Sequence, residues 1–109
     1  IYKNSFETMY NNIHHSYEEM SKRFDTKFII NSGDLIHNAK KEFKNKLYSP
    51  DGLHIGEMGC YIVGANLTKM LLGKKLSITN IFMPIDSELS KEEFVKAIEF
   101  VNNSKGFEF

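Results

Sequence analysis

Residues 26–34, "TKFIINSGD", place a short apolar and β-branched run directly before a cluster of turn-forming residues. A run of this kind, bounded by turn residues, is typical of a strand that is covered on both faces. Amphipathic patterns on either side of it predict helices, so the expected order is helix, strand, helix. That order indicates an α/β fold.

One strand cannot form a sheet, so the predicted strand needs partners. Residues 78–85, "ITNIFMPI", offer an edge strand. Alternatively, the remaining strands belong to sequence outside these 109 residues. The pattern is compatible with both arrangements.

Four segments have the three- and four-residue spacing of an amphipathic helix. The first covers residues 4–24, with Asn4 as N-cap and Glu7 in the position of a capping-box acid. Its apolar stripe consists of Phe6, Met9, Tyr10, Ile13, Tyr17, Met20 and Phe24. A helix of this kind covers another element on one side only.

The other three predicted helices each have an apolar face as well. In the second it is formed by Leu35, Ile36, Ala39 and Phe43. In the third, roughly residues 56–73, it is formed by Met58, Ile62, Ala65 and Leu72, and Gly73 ends the helix. In the fourth, Ser90 is the N-cap and the apolar face consists of Phe94, Ile98 and Val101.

Length and composition favour one small globular domain spanning residues 1–109, with 41% hydrophobic residues. Fourteen basic residues balance fourteen acidic ones, and the basic residues are scattered, so we expect neither nucleic acid nor membrane as a partner. Cys60 is the single cysteine and excludes an internal disulfide; we expect it to be a buried thiol. The chain opens on Ile1, so this end gives no prediction of the compartment.

The loop "YSPDGLHIGEMG", residues 48–59, contains the strongest candidate for chemistry. Asp51 and His54 flank Gly52, which can adopt the positive φ of a tight reversal. If the turn brings both side chains together, the carboxylate accepts the proton on one imidazole nitrogen and leaves the other free as a base, as in a hydrolytic triad. The alternative is that these are ordinary turn residues before a helix.

The longer run "YSPDGLHIGEMGCYIVGANL", residues 48–67, resembles the last conserved block of the SGNH, or GDSL-type, hydrolases. In that block an Asp-x-x-His pair opens the C-terminal helix, and Asp51, His54, Gly59 and Ala65 match it. Ile55 departs from it, since proline is frequent there. Residues 83–101, "MPIDSELSKEEFVKAIEFV", also look like the tail helix of some carbohydrate-directed bacterial members.

This resemblance implies a three-layer α/β/α, flavodoxin-like fold, of which the chain would be the mostly helical C-terminal part, with residues 76–109 as an extension that ends in the tail helix. It implies an esterase acting on a small-molecule or carbohydrate ester, such as an O-acyl sugar. His54 would be the general base and Asp51 its orienting acid, and neither a metal nor an organic cofactor would be needed. Tyr48 and Leu53 would lie at the mouth of the site.

The family's nucleophile is a serine in a Gly-Asp-Ser motif near its N-terminus, and no such motif is visible here. Ser32 precedes Gly33 and Asp34 instead of following them, so a turn and helix cap explain it. The resemblance therefore implies an N-terminal half that carries the serine, and little activity for this chain alone.

The alternative function is a non-catalytic small α/β interaction module in which residues 51–54 are only a turn. The hydrolase hypothesis predicts an accessible His54 and exposed apolar surface on this chain. A second histidine pattern, His14 and Glu18 one turn apart, could hold a surface metal ion, but a solvated helix face is the simpler interpretation.

Overall fold

A computed structural model describes residues 5–26, 29–52 and 54–105, and in these ranges the protein is all-helical. The α-helices are α1 (Phe6–Arg23), α2 (Ser32–Phe43), α3 (Glu57–Leu72) and α4 (Lys91–Asn102), and a 3₁₀ turn, Lys44–Leu47, follows α2 directly. None of these helices combines the length and hydropathy needed to cross a lipid bilayer.

The α/β prediction is wrong for the described residues. Their only β-type pairing is one isolated antiparallel bridge between Tyr48 and Ile55. Thr26, Ile29 and Ile30 have no strand assignment, residues 27 and 28 lie outside the described ranges, and residues 78–85 form bends and irregular backbone. A strand requires a neighbour to pair its backbone N–H and C=O groups, and no described segment supplies one. The prediction of a three-layer flavodoxin-like arrangement is wrong for the same reason, because it requires a sheet.

The core lies between α2, the 3₁₀ turn, α3 and α4. The predicted inward faces of α2 and α4 are confirmed, because their apolar residues are all buried. In α3, Met58 and Ile62 are buried and Ala65 is half-buried, as expected. Leu72 is 56% exposed, contrary to the prediction, because it is the last residue of the helix and lies outside the core cluster.

Local signals fix the ends of α3 and α4. The predicted N-cap of α4 forms a complete capping box, in which Glu93 N donates to Ser90 Oγ and Ser90 N donates to the Glu93 carboxylate. Helix α3 ends at Gly73, whose φ of 68° is in the left-handed region. The Lys69 ammonium of α3 donates to the carbonyls of Val101 and Ser104 and so holds the two helices together.

Helix α1 is peripheral. Ser5 is its N-cap, with the hydroxyl accepting from Thr8 N, while the predicted cap Asn4 lies outside the described residues. The apolar periodicity predicted for this helix is present, yet α1 contributes no buried residue. The exposed side chains of the stripe are Met9, Ile13, Tyr17, Met20 and Phe24. These five residues of the stripe therefore face solvent, while Phe6 and Tyr10 stack on His37 and attach α1 to α2.

Candidate active site

The Asp51–His54 loop is a tight reversal held at its base by backbone hydrogen bonds. Gly56 N donates to Leu47 O at 2.7 Å, and Ser49 N donates to His54 O at 2.8 Å. At the tip, Gly52 N donates to Ser49 O at 2.9 Å, and Gly52 has a φ of 70°. Glycine is favoured at that φ because a Cβ atom would be strained there. The loop therefore has one defined path into α3.

Two further glycines allow this loop to pack directly against the start of α3. A Cβ on Gly59 would lie 2.2 Å from Ile55 Cγ2 and 2.6 Å from Leu47 O, and a Cβ on Gly56 would lie 2.9 Å from the Tyr48 carbonyl. These distances leave no room for a methyl group. The close approach explains why α3 tolerates a glycine inside its first turn.

Asp51 contacts His54 with both carboxylate oxygens. One accepts from the His54 backbone N at 3.0 Å, and the other lies 2.6 Å from the ring Nδ1. An ionised carboxylate only accepts hydrogen bonds, so the ring nitrogen facing it carries the proton. In the neutral imidazole, Nε2 is then the basic nitrogen. The structure therefore brings the two predicted site residues together in the arrangement of an orienting acid and a base.

This pair lies at the surface. The imidazole is 76% exposed and the Asp51 side chain 48% exposed, so water screens the attraction between them. Tyr48, predicted at the mouth of the site, is half-buried, and burial raises its pKa; Leu53 lies outside the described residues. The described residues around this exposed pair therefore do not form the water-excluding walls that strengthen electrostatic catalysis.

No described serine hydroxyl is hydrogen-bonded to His54, whose backbone and ring contact Asp51 and the Ser49 backbone N. The hydroxyl of Ser49, the serine nearest in sequence, donates to the Ile55 carbonyl at 3.4 Å. Ser32 is the first residue of α2, following the N-cap residue Asn31. Across the described ranges, no three histidine, cysteine or acidic side chains cluster as metal ligands.

A polar cluster that was not predicted from the sequence lies between α1 and α2. Asp34 accepts from the Tyr10 hydroxyl at 2.8 Å and lies 2.9 Å from His14 Nδ1. Burial, and next the hydrogen bond to Asp34, raise the pKa of Tyr10 to about 12. His37 stacks on Tyr10 with ring centroids 3.7 Å apart, and its Nε2 lies 3.0 Å from a Glu7 oxygen.

A spacing signal for this cluster was present in the sequence. On α1, Glu7 and Tyr10 are three residues apart and Tyr10 and His14 four, and on α2 Asp34 and His37 are three apart. The four-residue spacing of His14 and Glu18 does not bring them together as a pair: His14 lies against Asp34, and Glu18 forms an ion pair with Lys22. The prediction of a buried Cys60 is also wrong, because this thiol is exposed.

Comparison with known proteins adds no relative: no protein-family model matches the sequence, and no curated protein or solved structure is significantly similar to it. The resemblance to SGNH hydrolases therefore rests on the residues of the Asp-x-x-His block.

Proposed function

We propose that this chain supplies the acid–base pair of a serine ester hydrolase. The observation that carries the proposal is the 2.6 Å contact between Asp51 Oδ2 and His54 Nδ1, because it fixes the tautomer that a general base requires. The proposal depends on this local geometry and on the Asp-x-x-His block. It does not depend on the fold class.

In the proposed reaction, His54 Nε2 removes the proton from a serine hydroxyl as that oxygen attacks the ester carbonyl. Asp51 stabilises the imidazolium that forms, since its carboxylate already faces the protonated Nδ1. His54 then gives the proton to the leaving alcohol oxygen, and in the second half-reaction it activates the water that releases the acyl group.

The nucleophile in this proposal comes from a segment outside these 109 residues, such as an N-terminal half of the same protein. Two observations support that source. The His54 ring is open to an incoming group, and no described serine is bonded to it. The exposed stripe on α1 is a further surface that such a segment could cover. A carbohydrate O-acyl ester is the proposed substrate class, on the resemblance of residues 83–101 to a tail helix.

The second candidate is a non-catalytic interaction module. The observation that favours it is the same stripe on α1, which is an apolar surface of the kind that binds other proteins. In that case the Asp51–His54 contact only stabilises a turn. Aspartate side chains commonly do this by accepting a hydrogen bond from a backbone N–H a few residues later.

Hydrolysis of p-nitrophenyl acetate distinguishes the two candidates. The chain is expressed alone and as a longer protein that includes any residues encoded upstream of Ile1. A fluorophosphonate probe detects an active-site serine in either product. We expect negligible turnover from the chain alone and labelling of an upstream serine in the longer product. In that product, His54→Ala should reduce kcat by about 10⁶-fold and Asp51→Ala by about 10⁴-fold, as for triad members that act as a unit.

His15→Ala is the matched control, because it removes an exposed imidazole from α1 and leaves the loop intact. Full activity of the His54→Ala protein, or the lack of any labelled serine, would contradict the hydrolase proposal and favour the interaction module.

A further inference from the structure

A cavity of about 500 Å³ lies away from the Asp51–His54 loop, between the outer face of α3 and residues 76–82. Its floor is α3, where the small residues Gly64 and Ala65 leave a depression. Its wall includes Leu76, Ile81 and Phe82, with Ile98 of α4 at the base. This volume lies within the range of small-molecule sites, which is about 300–1,000 Å³.

Side chains hold both ends of the wall segment. Leu76 N donates to Asn102 Oδ1 at 2.8 Å, and Asn102 Nδ2 donates back to Leu76 O at 2.9 Å. At the other end, the Tyr61 hydroxyl donates to Phe82 O at 2.6 Å. Because α4 fixes one end and α3 the other, the cavity is a preformed feature of the described structure.

The lining specifies the chemistry of a ligand. None of the described residues that line the cavity is charged, so these residues offer no counter-ion to an anion or a cation. The hydroxyls are occupied within the chain: Thr68 Oγ1 donates to Gly64 O at 2.9 Å, and Ser77 Oγ accepts from Asn80 N at 3.1 Å. The Asn80 amide also lines the cavity, and the rest of the lining is mainly aliphatic and aromatic surface.

We propose that this cavity binds an uncharged, mainly apolar small molecule. The affinity comes from removing apolar surface of the ligand and of the wall from water, and the absence of cations in the lining excludes acidic compounds of the same shape. The inference is independent of the hydrolase proposal, since neither Asp51 nor His54 lines the cavity.

Cys60 provides a specific readout. It lines the cavity, its thiol is exposed, and it is the only cysteine in the chain, so its alkylation rate reports on this cavity alone. The probes are N-phenyl-1-naphthylamine, which is neutral, and 1-anilinonaphthalene-8-sulfonate, which adds a sulfonate to the same rings. We expect the neutral probe at about ten times its Kd to slow iodoacetamide alkylation about tenfold, by mass action, and the sulfonate to have no comparable effect.

Two glycine substitutions localise the binding. Gly64→Leu places a side chain into the cavity, where a Cβ meets no atom within 4 Å, and replaces a helix glycine with a better helix former. Gly33→Leu is the matched control: this glycine also has open space, but it lines a different cavity, between α1 and residues 29–34. We expect Gly64→Leu to abolish protection of Cys60 and Gly33→Leu to preserve it.

Thr68→Leu, one turn along α3, is a second filling variant should Gly64→Leu fail to fold. The proposal is overturned if the neutral probe leaves the alkylation rate unchanged, if the sulfonate protects equally well, or if Gly33→Leu abolishes protection and the filling variants do not.

Discussion

At the residue scale, the Asp51 carboxylate makes two contacts with His54, one to its backbone and one to its ring. Its hydrogen bond to the His54 backbone N holds the turn, and its contact with Nδ1 orients the ring. The spacing allowed this contact to be predicted only on the condition that the turn folds both side chains to one side, and an ordinary turn remained the alternative. The Asp34 cluster was not predicted, because its members come from two helices whose contact no local pattern specifies.

The tautomer of His54 is the first property to test. Because Asp51 accepts from Nδ1, we expect the neutral ring to carry its proton mainly on Nδ1 and to shift toward Nε2–H in Asp51→Ala. Long-range ¹H–¹⁵N correlation spectra of the ring nitrogens at alkaline pH measure this. The exposed His15 is an internal reference. Identical ring spectra for the two proteins would show that Asp51 does not orient the ring.

At the element scale, helix ends and buried faces could be predicted from the sequence because caps and periodicity are local. The buried sides of α2 and α4 and the cap at Ser90 illustrate this. The exposure of Leu72 could not be predicted, because Leu72 has the spacing of a core residue but lies beyond the core cluster. The position of α1 also depends on tertiary contacts, and its apolar stripe gave no indication that it would face solvent.

Removing the N-cap should have different effects on α4 and α1. Ser90→Ala loses a capping box on a helix with a buried face, so we expect the free energy of unfolding to fall by about 1 kcal/mol. Ser5→Ala makes the same change on α1, which contributes no buried residue, so it should reduce helicity and leave the main urea transition nearly unchanged. Circular dichroism during urea denaturation measures both. Equal shifts in the two variants would mean that α1 unfolds together with the core.

The ion pair between Lys46 and Glu93 links the 3₁₀ turn to α4 and should make stability depend on pH. The hydrogen bond from Lys46, and next that from the Ser90 backbone, hold the pKa of Glu93 below its usual value. A lowered folded-state pKa contributes stability above the unfolded value of about 4.3, and this contribution is lost as the pH falls through the folded pKa.

We therefore expect Lys46→Met to destabilise the protein at neutral pH and to have little effect at an acid pH below the lowered pKa of Glu93, where the carboxyl is protonated in both states. Urea denaturation at the two pH values measures the difference. Lys41→Met, at an exposed position of α2, is the control and should have no pH-dependent effect. An undiminished effect of Lys46→Met in acid would rule out the ion pair as its cause.

At the scale of the whole molecule, the fold class was the property that the sequence predicted wrongly. The run at residues 26–30 has strand-like composition, but strand formation depends on a partner, and the described residues contain none. Ile30 is instead 54% exposed. The helices near it are correct because a helix satisfies its own backbone, so local patterning suffices for them and not for a sheet.

The exposed stripe on α1 should make the isolated chain associate. Met9, Ile13, Tyr17, Met20 and Phe24 lie on one helix face, and burying them would remove apolar surface from water. We expect the sedimentation coefficient to rise with concentration, and Ile13→Lys with Met20→Lys to reduce that rise. Leu71→Lys is the control, because it also replaces an exposed apolar side chain with lysine, but on α3. If the α1 changes left association unaffected, the associating surface would lie elsewhere on the chain.

The two glycines that pack the loop against α3 affect how sequence variation around the site should be interpreted. In a saturation mutagenesis library selected only for folded protein, Gly56 and Gly59 should reject nearly every substitution, because even alanine collides there with backbone or Ile55. Asp51 and His54, at the surface beside them, should accept many. Intolerance at the glycines would then record a steric limit on folding, and under the hydrolase proposal only selection for turnover would distinguish Asp51 and His54 from their neighbours.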